Sequence, residues 1–106
     1  MRIAGFEWDQ GNWPKCGQHG VTQAEIEAAL SATPDTYPDP AHSLREQRFL
    51  AIGRTPTGRH LLIAFTLRPR VDQWLLRPIS ARFMHAKEID HYERRQAKQT
   101  PNPDHR

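Results

Sequence analysis

The sequence predicts a single α+β domain in which an antiparallel sheet is flanked by helices. The middle of the chain shows strand-like patterns of apolar residues, and the segments on either side show helical apolar spacing. A length of 106 residues allows one modest hydrophobic core. We therefore expect one domain over residues 1–98 and a flexible tail over residues 99–106, because the tail has nothing to bury.

The N-terminal elements are expected to be short. Apolar and acidic residues alternate near residues 5–8, which predicts a short strand that joins the edge of the sheet. Asp9 and Asn12 can each start a short helical turn, and Gly20 can end it.

The first long helix is predicted over about residues 23–32. Thr22 and Glu25 have the capping-box spacing, in which each residue bonds the backbone of the other. Val21 and Ile26 occupy the two positions of a hydrophobic staple around that box. These signals define the start of the helix.

Three strands are predicted after a proline-rich segment, 33–43, which is expected to be extended or looped. The strands lie at about 47–53, 60–67 and 74–82. The second is apolar on both faces, which is typical of a central strand covered on both sides. Pro78 has no N–H to donate, so the third strand is either an edge or bulged there.

A second helix is predicted over about residues 86–97. Glu88 occupies the third helical position after His85, from which its side chain can reach back to the helix start. Ile89 and Tyr92 mark the inner face of this helix.

Several classes of protein are excluded. The longest apolar run, residues 61–65, is far shorter than the roughly 18 residues of a membrane span. The N-terminus lacks the apolar core of a signal peptide. The single cysteine, Cys16, cannot form an internal disulfide, which fits a reducing cytosol. We expect a cytoplasmic protein without membrane contact.

The charge is divided unevenly along the chain. Residues 1–53 carry four Lys and Arg against seven Asp and Glu, a net charge of −3. Residues 54–106 carry eleven against five, a net charge of +6. This division favours a basic surface for a polyanion or an acidic partner, and a merely solvated basic surface is the alternative.

Two arginines lie within the half-apolar stretch from Leu75 to Arg82. A guanidinium group on a half-buried strand requires an anion. The anion can be a phosphate backbone, a partner's carboxylate, or a carboxylate of the same chain in a structural salt bridge. Arg77 and Arg82 are five positions apart, so strict alternation places them on opposite faces. They converge only if the strand bulges at Pro78.

Metal-free RNA cleavage needs a base, a cation that stabilises the phosphorane and an acid. Arginines can act as the cation, and His, Glu or Tyr as the base and acid. His19, before Gly20, can face a substrate or only cap the helix end. No spacing of His and Cys resembles a zinc site or a catalytic triad, so we expect no metal and no cofactor.

Several stretches, in order from residue 6 to about residue 93, together resemble the BrnT family of toxins from type II toxin–antitoxin operons. They are Phe6–Asp9, His19–Val21 with Glu25, Arg48–Phe49, Ile52–Gly53, Gly58–Arg59, Phe65–Thr66, Ile79–Arg82 and Lys87–Glu88. The resemblance implies a RelE-like ribonuclease fold and cleavage of cellular RNA. It also implies neutralisation by a ribbon-helix-helix antitoxin, which would bind operator DNA.

The leading hypothesis is thus an RNA endonuclease toxin whose partners are RNA and the antitoxin, with operator DNA bound only through the antitoxin. The expected catalytic residues are His19, Arg48, Arg77, Arg82 and Glu88. The residues expected to bind RNA are Arg54, Arg59, Arg68, Arg70 and His85. The alternative is a non-catalytic protein- or nucleic-acid-binding module that keeps the fold. A DNA-binding regulator is disfavoured because no helix is strongly basic along one face.

Overall fold

The computed structural model describes residues 3–43 and 45–99. The strands are β1 (Ile3–Phe6), β2 (Asp35–Pro38), β3 (Arg48–Arg54), β4 (His60–Arg70) and β5 (Gln73–Phe83). The helices are α1 (Trp13–Cys16), α2 (Gln23–Ser31) and α3 (Ala86–Gln99), with a short 3-10 turn at Pro40–His42. The strands form one sheet in the order β1-β5-β4-β3-β2. The predicted α+β fold is confirmed. Of the predicted tail, residues 100–106 lie outside the described residues.

The start of α2 has the predicted capping box. The Thr22 hydroxyl accepts the backbone N–H of Glu25 at 3.1 Å, and the Glu25 carboxylate accepts the backbone N–H of Thr22 at 3.0 Å. Val21 and Ile26, the predicted staple residues, are both buried. The helix therefore begins where the sequence indicates, and it ends at Ser31, one residue before the predicted end.

Replacing Thr22 with alanine is expected to lower the free energy of unfolding by about 1 kcal/mol, because the N-terminal cap of α2 is lost. A urea denaturation curve measures the change. Ser31→Ala, at the exposed C-terminal end of the same helix, is the matched control and should leave the midpoint almost unchanged. A Thr22→Ala midpoint equal to that of the wild type would contradict the role of the cap.

The strands β4 and β5 form a longer hairpin than predicted. Their pairing continues to Arg70 and Gln73, so the turn contains only Val71 and Asp72, whereas the predicted strands left residues 68–73 between them. Asp72 has a φ of 61°, a conformation that aspartate tolerates better than most residues. The sequence misleads here because a proline flanked by arginines resembles a turn.

Both outer strands of the sheet differ in detail from the prediction. The strand β1 joins the edge as expected, but it lies about two residues earlier and runs parallel to β5. The strand β2, within the segment expected to be extended or looped, pairs antiparallel with β3. Pro38 is compatible with β2 because an edge strand need not donate every N–H to a neighbour.

The main core lies between the sheet and α2. Gly53 faces this helix so closely that a Cβ atom there would lie 3.1 Å from the carbonyl oxygen of Ala29. Ile26 of α2 and the β4 residues Leu61 and Ile63 are fully buried in this core. The close approach of backbone to backbone explains why glycine occupies position 53.

The opposite face of the sheet is covered only in part. Near one end of this face, α3 is held by polar contacts with β2: Tyr92 and Gln96 both bond the carboxylate of Asp35. Leu50 and Leu62 of the central strands remain half-buried on this face. Among the described residues, no helix is long and apolar enough to cross a membrane.

Candidate active site

All three predicted catalytic arginines lie on one face of the sheet. Arg48 of β3 and Arg77 of β5 both pair with Thr66 of β4. Arg82 pairs with Leu62, which lies four residues before Thr66 on β4. Directly paired residues point to the same face, as do alternate residues of one strand. The face that carries these three arginines, called the arginine face below, is the one opposite α2.

A β-bulge in β5 creates the arginine face. The register of β5 against β4 shifts next to Pro78, and Ile79 is left without a partner. Arg77 and Arg82 would otherwise point to opposite faces, and the one extra residue brings them to the same face. From the sequence, Arg77 and Arg82 are expected to converge only if the strand bulges at Pro78. The structure contains this bulge.

Arg82 forms a bidentate ion pair with Glu88 at the start of α3, and both N···O distances are 2.7 Å. Glu88 also accepts the backbone N–H of His85 at 2.8 Å, which is half of a capping box. The Arg82 hydrogen bond, followed by that from His85, lowers the pKa of Glu88 to about 2. Glu88 is therefore ionised at neutral pH and is a weak proton acceptor there.

Arg77 is paired with two carboxylates from the N-terminal segment. Its Nη1 lies 2.9 Å from Glu7 Oε1 and 2.8 Å from Asp9 Oδ2. The side chain is only 12% exposed. The hydrogen bond from Arg77 is the main reason that the pKa of Asp9 is lowered. Of the three kinds of anion considered from the sequence, Arg77 therefore binds carboxylates of its own chain in a structural salt bridge. The same is true of Arg82.

Arg48 differs from the other two arginines. Its guanidinium forms no ion pair with any carboxylate of residues 3–43 and 45–99. The side chain is half-buried, next to Thr66, whose hydroxyl donates to the carbonyl oxygen of Gln47 at 2.7 Å. Because no carboxylate of the described chain balances it, the Arg48 charge is available to an external anion.

His19 lies beside a cleft in the arginine face with a volume of about 260 Å³. Ala64 and Ser80 are cross-strand partners in the cleft, and their small side chains leave space between larger neighbours. His19, which is exposed, and Arg82 both border this space. The remaining lining residues are Leu50, Leu62 and Ala81. The cleft thus brings a histidine and an arginine to one place.

The residues predicted to bind RNA do not form one cluster. Arg54 and Arg59 lie at the hairpin between β3 and β4, whereas Arg68 and Arg70 lie at the other end of β4. The strand β4 has 11 residues, so its two ends are about 33 Å apart. His85 immediately precedes α3, and its backbone N–H donates to Glu88. The observed partners are Glu93 for Arg54, the Phe83 ring for Arg59, Glu46 and Glu7 for Arg68, and Glu7 for Arg70.

Two features of the site were missed from the sequence. The alternation around Trp8 indicated that Glu7 and Asp9 share a side, but no pattern linked them to Arg77. Asn12 was considered only as a helix start, and its side chain does not cap α1. It bonds instead to the backbone of β5, at Pro78. No local pattern in the sequence indicates this contact, because Pro78 lies 66 positions from Asn12.

Comparison with known proteins identifies the family. No curated protein matches the chain. A family model described as the ribonuclease toxin BrnT of type II toxin–antitoxin systems matches residues 8–88, which is well over half of the sequence. This range includes the cleft, its histidine and all three residues of the arginine face. The chain therefore belongs to the BrnT family of ribonuclease toxins.

Proposed function

We propose that this protein is an RNA endonuclease toxin that works without a metal ion and is neutralised by a ribbon-helix-helix antitoxin. The arrangement of the arginine face carries the proposal. Arg48, Arg77 and Arg82 share one face because of the bulge, and His19 borders the same cleft as Arg82. Membership of a family of ribonuclease toxins supports both the chemistry and an antitoxin partner.

In the proposed reaction, the 2′-oxygen of RNA attacks the adjacent phosphorus and the bond to the 5′-oxygen of the next nucleotide breaks. His19 takes the proton from the 2′-hydroxyl, and its imidazolium form returns a proton to the leaving oxygen. Arg48 and Arg82 donate N–H groups to the phosphoryl oxygens, where negative charge grows in the transition state. The products are a 2′,3′-cyclic phosphate and a free 5′-hydroxyl.

In this mechanism Glu88 orients Arg82 and carries no proton. Its pKa of about 2 keeps it ionised, so it is neither an acid nor an effective base at neutral pH. The bidentate pair uses one N–H on each terminal nitrogen of Arg82. A guanidinium group has five N–H donors, so others remain for a phosphate.

Arg77 has a different role from Arg48. Two carboxylates already balance its charge, and it ties the segment that contains Glu7 and Asp9 to β5. An anion that approaches Arg77 also meets these carboxylates. We therefore assign the phosphate contacts to Arg48 and Arg82, and assign Arg77 to the support of the face.

A non-catalytic binding module is the second candidate function. The observation that favours it is the pairing of two of the three arginines with carboxylates of the same chain. Such pairing leaves a stable and nearly neutral surface that suits a protein partner. The two functions differ in a single property, the cleavage of RNA by the purified protein.

Expression of the wild-type protein without an antitoxin is expected to arrest growth and degrade cellular RNA. The purified protein should cleave RNA equally well with and without EDTA, and a co-expressed ribbon-helix-helix antitoxin should restore growth. Intact RNA in cells that contain abundant folded protein would reject the nuclease function and favour the binding module. Cleavage that stops in EDTA would reject metal independence alone.

A further inference from the structure

We propose that Asn12 is a positioning residue for RNA cleavage, because its side chain holds the β-bulge that forms the arginine face. The inference rests on the proposed function. Asn12 is 2% exposed, one of few polar residues buried to this degree among the described residues. Within the described part of the chain, its side chain does not line the cleft and bonds no arginine of the face, so it acts through the backbone.

The carboxamide of Asn12 bonds three backbone groups, two in the N-terminal segment and one in β5. Its Nδ2 donates to the carbonyl oxygen of Pro78 at 2.8 Å and to that of Glu7 at 2.9 Å. Its Oδ1 accepts the backbone N–H of Asp9 at 2.8 Å. A carboxamide has two N–H donors, so both are used here. Among the other neutral side chains, only glutamine carries this group, and its extra methylene places the group further from the backbone.

The bond to Pro78 lies at the bulge. A bulge interrupts the hydrogen-bond ladder between strands, and buried backbone groups beside it need other partners. Asn12 supplies one to the carbonyl oxygen of Pro78. The same side chain fixes the segment of Glu7 and Asp9, whose carboxylates hold Arg77. Asn12 thus stabilises the backbone of the bulge directly and the side chain of Arg77 through Glu7 and Asp9.

Loss of the bulge would change the chemistry of the face. A shift of one residue turns the side chains of a strand segment to the other side of the sheet. Arg77 would leave the arginine face. Asp9 would then lose its ion pair, whereas Glu7 would keep those with Arg68 and Arg70. The unbalanced carboxylate of Asp9 opposes the approach of a phosphate to this part of the sheet.

Asn12→Ala is expected to lower single-turnover RNA cleavage per folded molecule by about 10²-fold, as small displacements of catalytic groups do. The NMR contact between the backbone hydrogens of Thr66 and Arg77, which reports the register beyond the bulge, should disappear. Thr22→Ala is the control: it destabilises the fold at α2 but should keep the wild-type rate per folded molecule. Asn12→Ala that keeps the contact or the rate would overturn the inference.

Deletion of Ile79 in the Asn12→Ala chain is the second test. Ser80 and Pro78 then become consecutive, like their partners on β4, so Arg77 and Arg82 share a face without a bulge. The deletion should restore the Thr66–Arg77 contact, and cleavage to within about 10-fold of the wild type.

If Asn12→Ala alone does not fold, the inference is still testable, because the deletion of Ile79 should then restore folding. A double variant without the contact would overturn the inference. A wild type that cleaves no RNA overturns the proposed function instead. A wild type that cleaves, with Asn12→Ala equally active per folded molecule, overturns the role of Asn12 alone.

Discussion

Replacing Arg82 with alanine is expected to lower the rate of RNA cleavage by about 10²- to 10³-fold, the effect of removing a donor that stabilises transition-state charge. Arg82 borders the cleft, and Glu88 holds its guanidinium in a fixed orientation. The substitution also leaves the ionised Glu88 unpaired beside the cleft, where it repels the phosphate. Single-turnover cleavage of a short RNA measures the loss.

Three variants separate the catalytic role of Arg82 from simpler explanations. Arg94→Ala removes the same charge from an exposed pair with Asp90 on α3 and should leave cleavage almost unchanged. Arg82→Lys keeps the charge but loses the bidentate geometry, so it should recover little activity. Glu88→Gln should cost only about 10-fold, because it loosens Arg82 without removing it. Equal losses in Arg82→Ala and Arg94→Ala would mean that net charge alone matters.

Much of the fold follows from local patterns. The capping box at Thr22 fixed the start of α2, because both of its partners lie within one helical turn. The apolar patterns placed β3, β4 and β5 to within a few residues. The strand β2 lacks such a pattern: Asp35–Pro38 is short and polar, and it is a strand because β3 offers a free edge.

The site was predictable only in outline. Pro78 indicated a bulge or an edge from its missing N–H, and the bulge decides which arginines share a face. The partners of Arg77 could not be predicted, because Glu7 lies 70 positions away in the chain. The ion pair between Arg82 and Glu88 crosses a strand-to-helix junction whose geometry no periodicity describes. Long-range pairing depends on the packed structure and leaves no local pattern.

Replacing His19 with alanine is expected to lower RNA cleavage by about 10²-fold or more, because the proposed mechanism loses its proton carrier. The side chain is exposed and lies in the turn before Gly20, whose φ is 82°. Its removal should therefore change the free energy of unfolding very little. Single-turnover cleavage and a urea denaturation curve, measured on the same preparation, test both statements.

A histidine that only caps the turn would behave differently. His19→Ala would then lower stability, and cleavage would fall only in proportion to the folded fraction, as in Thr22→Ala. His19→Gln sharpens the contrast, since glutamine keeps a hydrogen-bonding side chain but cannot carry a proton at neutral pH. His42→Ala, which removes an exposed histidine paired with Asp39, controls for a general effect of histidine loss. If His19→Gln cleaves RNA at the wild-type rate, His19 is not the proton carrier. The next candidate for the proton carrier would then be His85, which immediately precedes α3 and donates its backbone N–H to Glu88.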